Sequence, residues 1–288
     1  MAAISLTSSH YRPFGKRAAL LLVPAVLMAV ALLIVPMSTI VVSAFSQGNA
    51  STAHFSVGYY VDILTDEFYW EVLLRTIRIS LLTTVVALVI SYPAALYLFL
   101  VESRWHTLFL AVALSPLFVS VIVRTYGWII ILSPNGVLNA LLPGGLPFRL
   151  LRTESAVVIG LVHIYIPFML LSLNAALVKL DKRLLSAAAS LGASKLSTLR
   201  DIVVPLSMPG IIAGATIVFT ISMTAFSTPI LLGGSQNKTM PYLIFQQVML
   251  TSNWHMGSAL ALFLMAFTLA IVFLIRRVTR LVVPFGAS

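Results

Sequence analysis

The chain has 288 residues, of which 60% are hydrophobic and only 9% are charged, whereas soluble domains carry about 25% charged residues. This composition excludes an ordinary soluble protein and indicates an integral membrane protein. The formal net charge of +10 would suggest nucleic-acid binding in a soluble chain, but basic residues beside apolar spans are the usual mark of membrane topology, so we expect no nucleic-acid partner.

Six apolar runs approach or exceed the length of about 20 residues that a helix needs to cross the hydrocarbon core. The predicted spans are 18–45, 79–101, 107–132, 155–178, 206–232 and 257–275. The first follows Arg12, Lys16 and Arg17 and could be read as a secretory signal, but its run is longer than the roughly 7 to 15 residues of a signal core. We interpret it as an uncleaved anchor. The fold is predicted to be all-α, with one six-helix transmembrane domain at 18–275.

The distribution of lysine and arginine predicts the orientation of these spans in the lipid bilayer. With the N-terminus inside, twelve basic residues fall on the cytoplasmic side: Arg12, Lys16, Arg17, Arg104, Lys179, Lys182, Arg183, Lys195, Arg200, Arg276, Arg277 and Arg280. The outer loops hold Arg149, Arg152 and Lys238. Because basic residues accumulate on the cytoplasmic side, residues 1–17 and 276–288 are predicted to be cytoplasmic tails.

The residue types needed for enzymatic chemistry in the membrane do not converge in this sequence. There are no paired carboxylates within the spans, no histidine cluster and no nucleophile with an adjacent base, and the absence of cysteine excludes thiol catalysis and cysteine-ligated metals. No Gly-x-x-x-x-Gly-Lys-Ser/Thr motif is present to bind a nucleotide. We predict a non-enzymatic protein with no cofactor and no metal site, in which any ATP hydrolysis belongs to a partner.

The segment 179–205, between the fourth and fifth predicted spans, is too polar to cross the membrane. Apolar residues recur at helical spacing along its first half, at Leu184, Ala188 and Leu191. Gly192 offers the positive φ that ends a helix cheaply, and residues 193–201 can form a second short helix before Pro205 and Pro209 reopen the membrane. The segment is predicted to be a helical hairpin projecting into the cytoplasm. The alternative is an amphipathic hairpin that lies on the lipid headgroups.

The same segment resembles the cytoplasmic signature of the inner-membrane permease subunits of binding-protein-dependent ABC importers. That signature is Glu-Ala-Ala, three residues, Gly, nine residues, Ile, one residue, Leu-Pro. At the same spacing this chain has Ser186, Ala187, Ala188, Gly192, Ile202, Val204 and Pro205. Ser186 replaces the glutamate and Val204 replaces the leucine. The resemblance implies that these residues, with Ala193 and Ser194 beside the glycine, dock into a groove on an ATPase subunit.

The resemblance covers nearly the whole chain and is closest to permeases of the spermidine/putrescine type. It is carried by VIVRTYGWIIIL at 121–132, VHIYIPFMLLSLNAAL at 162–177 and FSTPILLGG at 226–234. It implies a bacterial inner-membrane protein that pairs with a second permease subunit, an ATP-binding cassette ATPase dimer and a periplasmic or extracellular solute-binding protein. The solute would be small, organic and polyamine-like. The alternative, a self-sufficient secondary transporter, usually shows inverted repeats and intramembrane ionisable groups, which are missing here.

Three arginines are candidates for the transport pathway or its outer rim. Arg124 lies 17 residues after Thr107, about 26 Å along a continuous helix, which predicts a position near the outer boundary. There it either snorkels to water or acts in the pathway. Arg75 and Arg78 enter the second span at the same predicted level. The three are predicted to form a cationic outer rim that docks an acidic surface of the binding protein or gates the pathway.

Overall fold

The described part of the chain is almost entirely helical. The computed structural model describes residues 16–47, 54–101, 106–141 and 149–282; most of the predicted N-terminal tail, Arg104 and the last six residues of the C-terminal tail lie outside these ranges. The α-helices are α1 (Lys16–Ala44), α2 (Gly58–Thr65), α3 (Glu67–Leu100), α4 (His106–Leu114), α5 (Val121–Leu132), α6 (Val137–Leu141), α7 (Glu154–Leu177), α8 (Arg183–Ser190), α9 (Lys195–Thr198), α10 (Val204–Met223), α11 (Met240–Phe245) and α12 (Trp254–Val282). Two short strands, β1 (Ser46–Gln47) and β2 (His54–Phe55), pair antiparallel.

Six helical segments are long and apolar enough to cross a membrane. They are Val23–Ala44, Glu67–Leu100, Val121–Leu141, Glu154–Leu177, Lys195–Met223 and Trp254–Arg277. The prediction of an all-α fold with six membrane-spanning helices is therefore confirmed. The bounds differ from those predicted, and two of the predicted spans are interrupted.

Helices α3, α7 and α10 pack together as the core of the bundle. The contact between α7 and α10 depends on two buried glycines: a Cβ atom at Gly210 would lie 2.5 Å from the Ala176 Cβ and 2.8 Å from the Ser172 carbonyl oxygen, and one at Gly214 would lie 2.6 Å from the Met169 sulfur. Helices in lipid gain from such close approach through van der Waals contact. The core therefore tolerates no added side-chain volume at this contact.

Helix α1 attaches to the bundle mainly at its C-terminal end. Ala44 is fully buried, and the Ser43 carbonyl oxygen lies 2.9 Å from the His255 Nδ1 on α12. Nearly every described α1 side chain before Ser43 is exposed. Because this exposed surface is apolar, it requires a hydrocarbon surrounding supplied by lipid or by another subunit.

The predicted third span is not one continuous helix. Helix α4 ends at Leu114, a 3-10 turn follows at Ser115–Phe118, and α5 begins only at Val121. Pro116 lies in the first turn of the 3-10 segment, where its missing N–H is tolerated. The backbone then becomes extended at Val119. The prediction of an unbroken helix over 107–132 is wrong.

The predicted fifth span begins earlier and ends earlier than expected. Pro205 and Pro209 do not separate the hairpin from this span, because the helix continues from Lys195 to Met223 through a π-helical turn at Leu199–Val203. In that turn the Val204 N–H donates to the Leu199 carbonyl, and a π-bulge of this kind accommodates irregular backbone bonding within a helix. The chain breaks again after Met223, before a short helical segment at Pro229–Gly233.

Candidate functional site

Helix α8 forms the first half of the hairpin and ends in a defined C-terminal motif. The Ala193 N–H donates to the Ala188 carbonyl at 3.0 Å, and the Gly192 N–H donates to the Ala189 carbonyl at 3.0 Å. This pair of bonds is a Schellman motif, which requires a left-handed residue after the helix end. Gly192 has φ of 80°, so the predicted positive φ at this glycine is confirmed.

The second half of the hairpin is continuous with the membrane-spanning helix that follows it. The Ser194 side-chain oxygen accepts a hydrogen bond from the Ser197 N–H at 3.1 Å, which caps α9 at its first turn. From there the helix runs unbroken into α10. Ile202 and Pro205 lie on this continuous helix, away from the turn at Gly192. A continuous helix therefore joins the turn to the bundle.

One face of the hairpin lies against the bundle. Ala188 is buried, and Leu185 packs against the main hydrophobic core. Between this face and the C-terminal end of α3 lies an apolar groove of about 440 Å³, lined by Leu96, Leu100, Ala189 and Leu199 among others. The hairpin is thus supported by the bundle without being embedded in it.

The opposite face of the hairpin is exposed. It carries small residues together with Leu191 and Leu196. Ser186, Ala187, Gly192 and Ser194 are exposed and Ala193 is half-buried. A Cβ atom added at Gly192 would meet nothing within 4 Å, so the chain itself does not require a glycine for space there.

Leu191 is 88% exposed and Leu196 is 74% exposed. The predicted apolar stripe is wrong in this respect: Ala188 faces the bundle, whereas Leu184 and Leu191 face outward. Exposed apolar side chains in a polar segment are typical of interaction surfaces. The sequence did not single out Leu191 and Leu196 as an exposed surface. The available signal was that Leu191 directly precedes the glycine that ends the helix.

Arg75 joins three parts of the chain at the outer end of the bundle. Its Nη2 lies 2.6 Å from the Glu71 Oε1 and its Nε lies 3.3 Å from the Glu154 Oε1. Its Nη1 donates to the Gln236 carbonyl at 3.1 Å. Arg78 also pairs with Glu154, which lies in the first turn of α7, where the helix dipole favours a negative charge. Both arginines are therefore neutralised by glutamates of the same chain, and they do not form an unpaired cationic rim.

Arg124 lies on α5, apart from the ion pairs of Arg75 and Arg78. One helical turn after it, the Trp128 Nε1 donates to the His163 Nδ1 at 3.2 Å. His163 is nine residues after Glu154 on α7, which is about 14 Å along the helix. The count that predicted an outer position for Arg124 ran through the break before α5, so that position stays a prediction.

The guanidinium of Arg124 has little to bind within the chain. Its Nε and Nη1 are buried and have no hydrogen-bond partner among the described residues. Since an indole N–H only donates, the His163 Nδ1 must accept from Trp128, which leaves the remaining ring nitrogen as a donor. The Thr125 hydroxyl already donates to the Val121 carbonyl at 2.8 Å. The ring of His163 therefore offers Arg124 no acceptor.

Comparison with known families and proteins identifies clear relatives. Residues 72–284 match the model of the family described as "Binding-protein-dependent transport system inner membrane component". The spermidine/putrescine transport system permease protein PotB of Escherichia coli (strain K12) is 39% identical over 209 residues, which cover 71% of this chain and 76% of the relative. PotB of Haemophilus influenzae is 34% identical over 222 residues, which cover 76% of this chain and 78% of the relative.

The fold also matches a solved transporter. A chain of a bacterial alginate ABC transporter, solved in complex with an alginate pentasaccharide-bound periplasmic protein, superposes with a TM-score of 0.79 at 19% sequence identity. The match covers 94% of this chain and 98% of the other. At this identity the likeness concerns the fold.

Proposed function

Because this chain belongs to the family of binding-protein-dependent transport system inner membrane components, we propose that the hairpin at 179–205 is the element through which a separate ATPase drives it. The chain is a multi-pass permease subunit of an ABC importer in the inner membrane. The family implies both an ATPase and a solute-binding protein as partners. This membership leaves no support for a self-sufficient secondary transporter.

The continuity of the hairpin with α10 is the observation that carries the coupling proposal. The Schellman motif at Gly192 fixes the turn between α8 and α9, and the helix from Lys195 to Met223 connects that turn to the bundle core. Closure of an ATPase dimer against the turn would move α10 as a rigid body, the usual way in which helices are rocked during alternating access. Ser186, Ala187, Ala188, Gly192, Ala193, Ser194, Ile202 and Pro205 are proposed as the coupling segment.

The exposed face of the hairpin fits a protein groove. Small side chains at Ser186 and Ala187 permit close approach, and Leu191 and Leu196 offer apolar area for burial. Burial of an exposed leucine is favourable by about 1.5 to 3 kcal/mol. A hairpin resting on lipid headgroups would also bury the leucines, but it would have no use for the neighbouring surface of small residues.

We infer a polyamine-type solute from the relatives of the spermidine/putrescine system. The described membrane helices carry no carboxylate in their interior to select a polycation, since the glutamates of α3 and α7 lie at the outer ends of these helices. Selection is therefore assigned to the solute-binding protein or to the partner permease. A second permease subunit would complete the pathway and cover apolar surface that one chain leaves exposed, including an open groove of about 510 Å³ between α3 and α7.

Substitution of Gly192 tests the coupling role. Gly192→Asn keeps the turn accessible because asparagine tolerates positive φ, whereas Gly192→Val strains it; a Cβ atom at this position meets nothing within 4 Å. With a partner docked closely, Gly192→Asn already lowers recovery of the ATPase in a detergent pull-down, and Gly192→Val lowers it further, while membrane abundance stays near wild type. Full ATPase recovery and full uptake with both variants would contradict the coupling role and favour a hairpin that lies on the lipid headgroups.

The orientation inferred from the basic residues places the hairpin and both termini in the cytoplasm. Since the chain has no cysteine, a single Ser194→Cys substitution gives an unambiguous probe of an exposed hairpin position. A membrane-impermeant thiol reagent should fail to label it in intact cells and should label it after the membrane is opened. Labelling in intact cells would reverse the orientation and remove the docking role.

A further inference from the structure

We propose that Arg124 forms an ion pair, near the middle of the membrane, with a carboxylate contributed by the second permease subunit. This inference rests on the proposed function, because it takes the second permease as a partner. It adds the chemistry of one specific contact between the two subunits and the depth at which that contact lies.

Arg124 carries a charge that lies within the bundle and is partly buried. Trp128, one helical turn after it, binds His163 about 14 Å along α7 from the outer end of that helix, and the Arg124 Nε and Nη1 are buried without a partner among the described residues. Ionisable side chains at such depth are strongly unfavourable unless they pair with an opposite charge or face water. The two buried nitrogens have no access to water and therefore require an acceptor.

The neighbouring side chains do not supply that acceptor. The His163 Nδ1 is occupied by the Trp128 N–H at 3.2 Å, and the other ring nitrogen carries the proton. The Tyr165 hydroxyl is directed to the Ile221 carbonyl at 3.5 Å. These groups are neutral, so even a relaxed hydroxyl contact would leave the charge of Arg124 uncompensated.

The described residues offer no carboxylate at that level of the bundle. Its acidic residues are Asp62, Asp66, Glu67, Glu71, Glu102, Glu154, Asp181 and Asp201. The first four lie in or before the first turns of α3, and Glu154 lies in the first turn of α7 and pairs with Arg75 and Arg78. Asp181 and Asp201 lie within the hairpin segment, and Glu102 lies outside the described residues, directly after α3 in the sequence. The counter-charge must come from another molecule.

A second permease subunit is the source that fits best. The desolvation of Arg124 has to be offset throughout the transport cycle, whereas a solute is present only during part of it. The inferred solute is also a cation, which would be repelled by an unpaired arginine in its pathway. A second copy of this chain cannot supply the group, because it would bring the same arginine and the same distribution of acidic residues. The proposal therefore implies a different second permease that carries an aspartate or glutamate within one of its spans.

The experiment uses the complete importer, purified through a tag on this chain, and measures recovery of the second permease. Arg124→Gln should lower that recovery by about tenfold or more, since removing one partner of a buried ion pair leaves the other charge uncompensated. Arg149→Gln, which removes the same charge from an exposed outer residue, is the control and should keep full recovery. Each aspartate or glutamate within the spans of the second permease is then changed to arginine and combined with Arg124→Glu. One such combination should restore recovery that either single change abolishes.

The outcomes separate this inference from the proposed function. Recovery of the ATPase and a second permease with the wild-type chain supports the proposed function alone, and its failure would reject that function first. With the wild-type complex intact, full recovery of the second permease with Arg124→Gln would overturn the ion pair, as would a charge exchange that rescues at no position. Full recovery combined with a raised KM for solute would also overturn it, and would assign Arg124 to an anionic group on the solute.

Discussion

Two regions differ in whether the chain itself covers their surfaces. One is the contact between α7 and α10, and the other is the hairpin at 179–205. At the first, Gly210 and Gly214 bring two helices so close that a single added carbon would collide with the neighbouring helix. At the second, Gly192 faces open space and Leu191 is 88% exposed. The difference separates folding from assembly: changes at the first should alter the amount of folded chain, and changes at the second should alter its partners.

The same contrast appears among the arginines. Arg75 and Arg78 find their counter-charges within the chain, at Glu71 and Glu154. Arg124 has no ion pair with any described carboxylate of the chain. Substitution of the paired arginines should therefore change the stability of the isolated subunit, whereas substitution of Arg124 should change the complex.

The largest effect is expected at the closed contact. Gly210→Ala places a Cβ atom 2.8 Å from a backbone oxygen of α7, which cannot be relieved by rotating a side chain, so the folded state should lose about 1 to 3 kcal/mol. A lower melting temperature in detergent and a lower membrane abundance would show this. The matched control is Gly127→Ala on α5, where an added Cβ meets nothing within 4 Å; equal stability of the two variants would contradict the close-packing account.

An intermediate effect is expected at the hairpin. Leu191→Glu removes an exposed apolar side chain, so the stability of the isolated subunit should be unchanged while ATPase recovery falls by about tenfold, the equivalent of about 1.4 kcal/mol of buried leucine. Ser186→Glu adds the same charge to the same helix at the position where the family signature has glutamate, and it should be tolerated better. If the two variants behave alike, charge rather than apolar contact governs docking.

The smallest effects are expected at the outer arginines, and they should differ from one another. Arg78 is 61% exposed and has one ion pair, so Arg78→Ala should cost about 0 to 1 kcal/mol of stability. Arg75→Ala should cost more, because its side chain is 18% exposed and also holds the Gln236 carbonyl. Thermal unfolding of the two purified variants provides the comparison, and a larger loss with Arg78→Ala would contradict the assigned geometry.

The number of spans and the turn of the hairpin could be predicted from sequence because each depends on a local signal. Long apolar runs mark helices that cross the membrane, and a glycine at the end of an amphipathic stretch marks a left-handed turn. Gly192 adopts that turn. The six spans are present, although their bounds differ from those predicted, most of all in the second, third and fifth spans.

The breaks within the spans could not be predicted from hydropathy alone. The residues from Ser115 to Ser120 are apolar enough to be read as part of a continuous span. Only Pro116 indicated the interruption. Pro205 gave the opposite error, because a π-helical turn let the helix continue where a proline was expected to end it. The count that predicted an outer position for Arg124 ran through the first break, where the helix is not continuous.

The ion pairs of Arg75 and Arg78 with Glu154 could not be predicted because they join residues far apart in the sequence. Glu154 lies 76 residues after Arg78, and only the packing of α3 against α7 brings their charges together. The sequence identified the arginines but gave no indication of which were already neutralised. That distinction decides which of them can contact another molecule.

The central claim, that the exposed face of the hairpin binds the ATPase, is tested most directly by cross-linking in membranes. A single Leu191→Cys substitution in this cysteine-free chain is treated with a membrane-permeant reagent that joins a thiol to a nearby lysine. Val61→Cys on α2, at an exposed position predicted to lie outside, is the control. We predict a permease–ATPase product with Leu191→Cys and none with Val61→Cys. A transport-competent Leu191→Cys variant that gives no such product, or a product formed from Val61→Cys instead, would contradict the account.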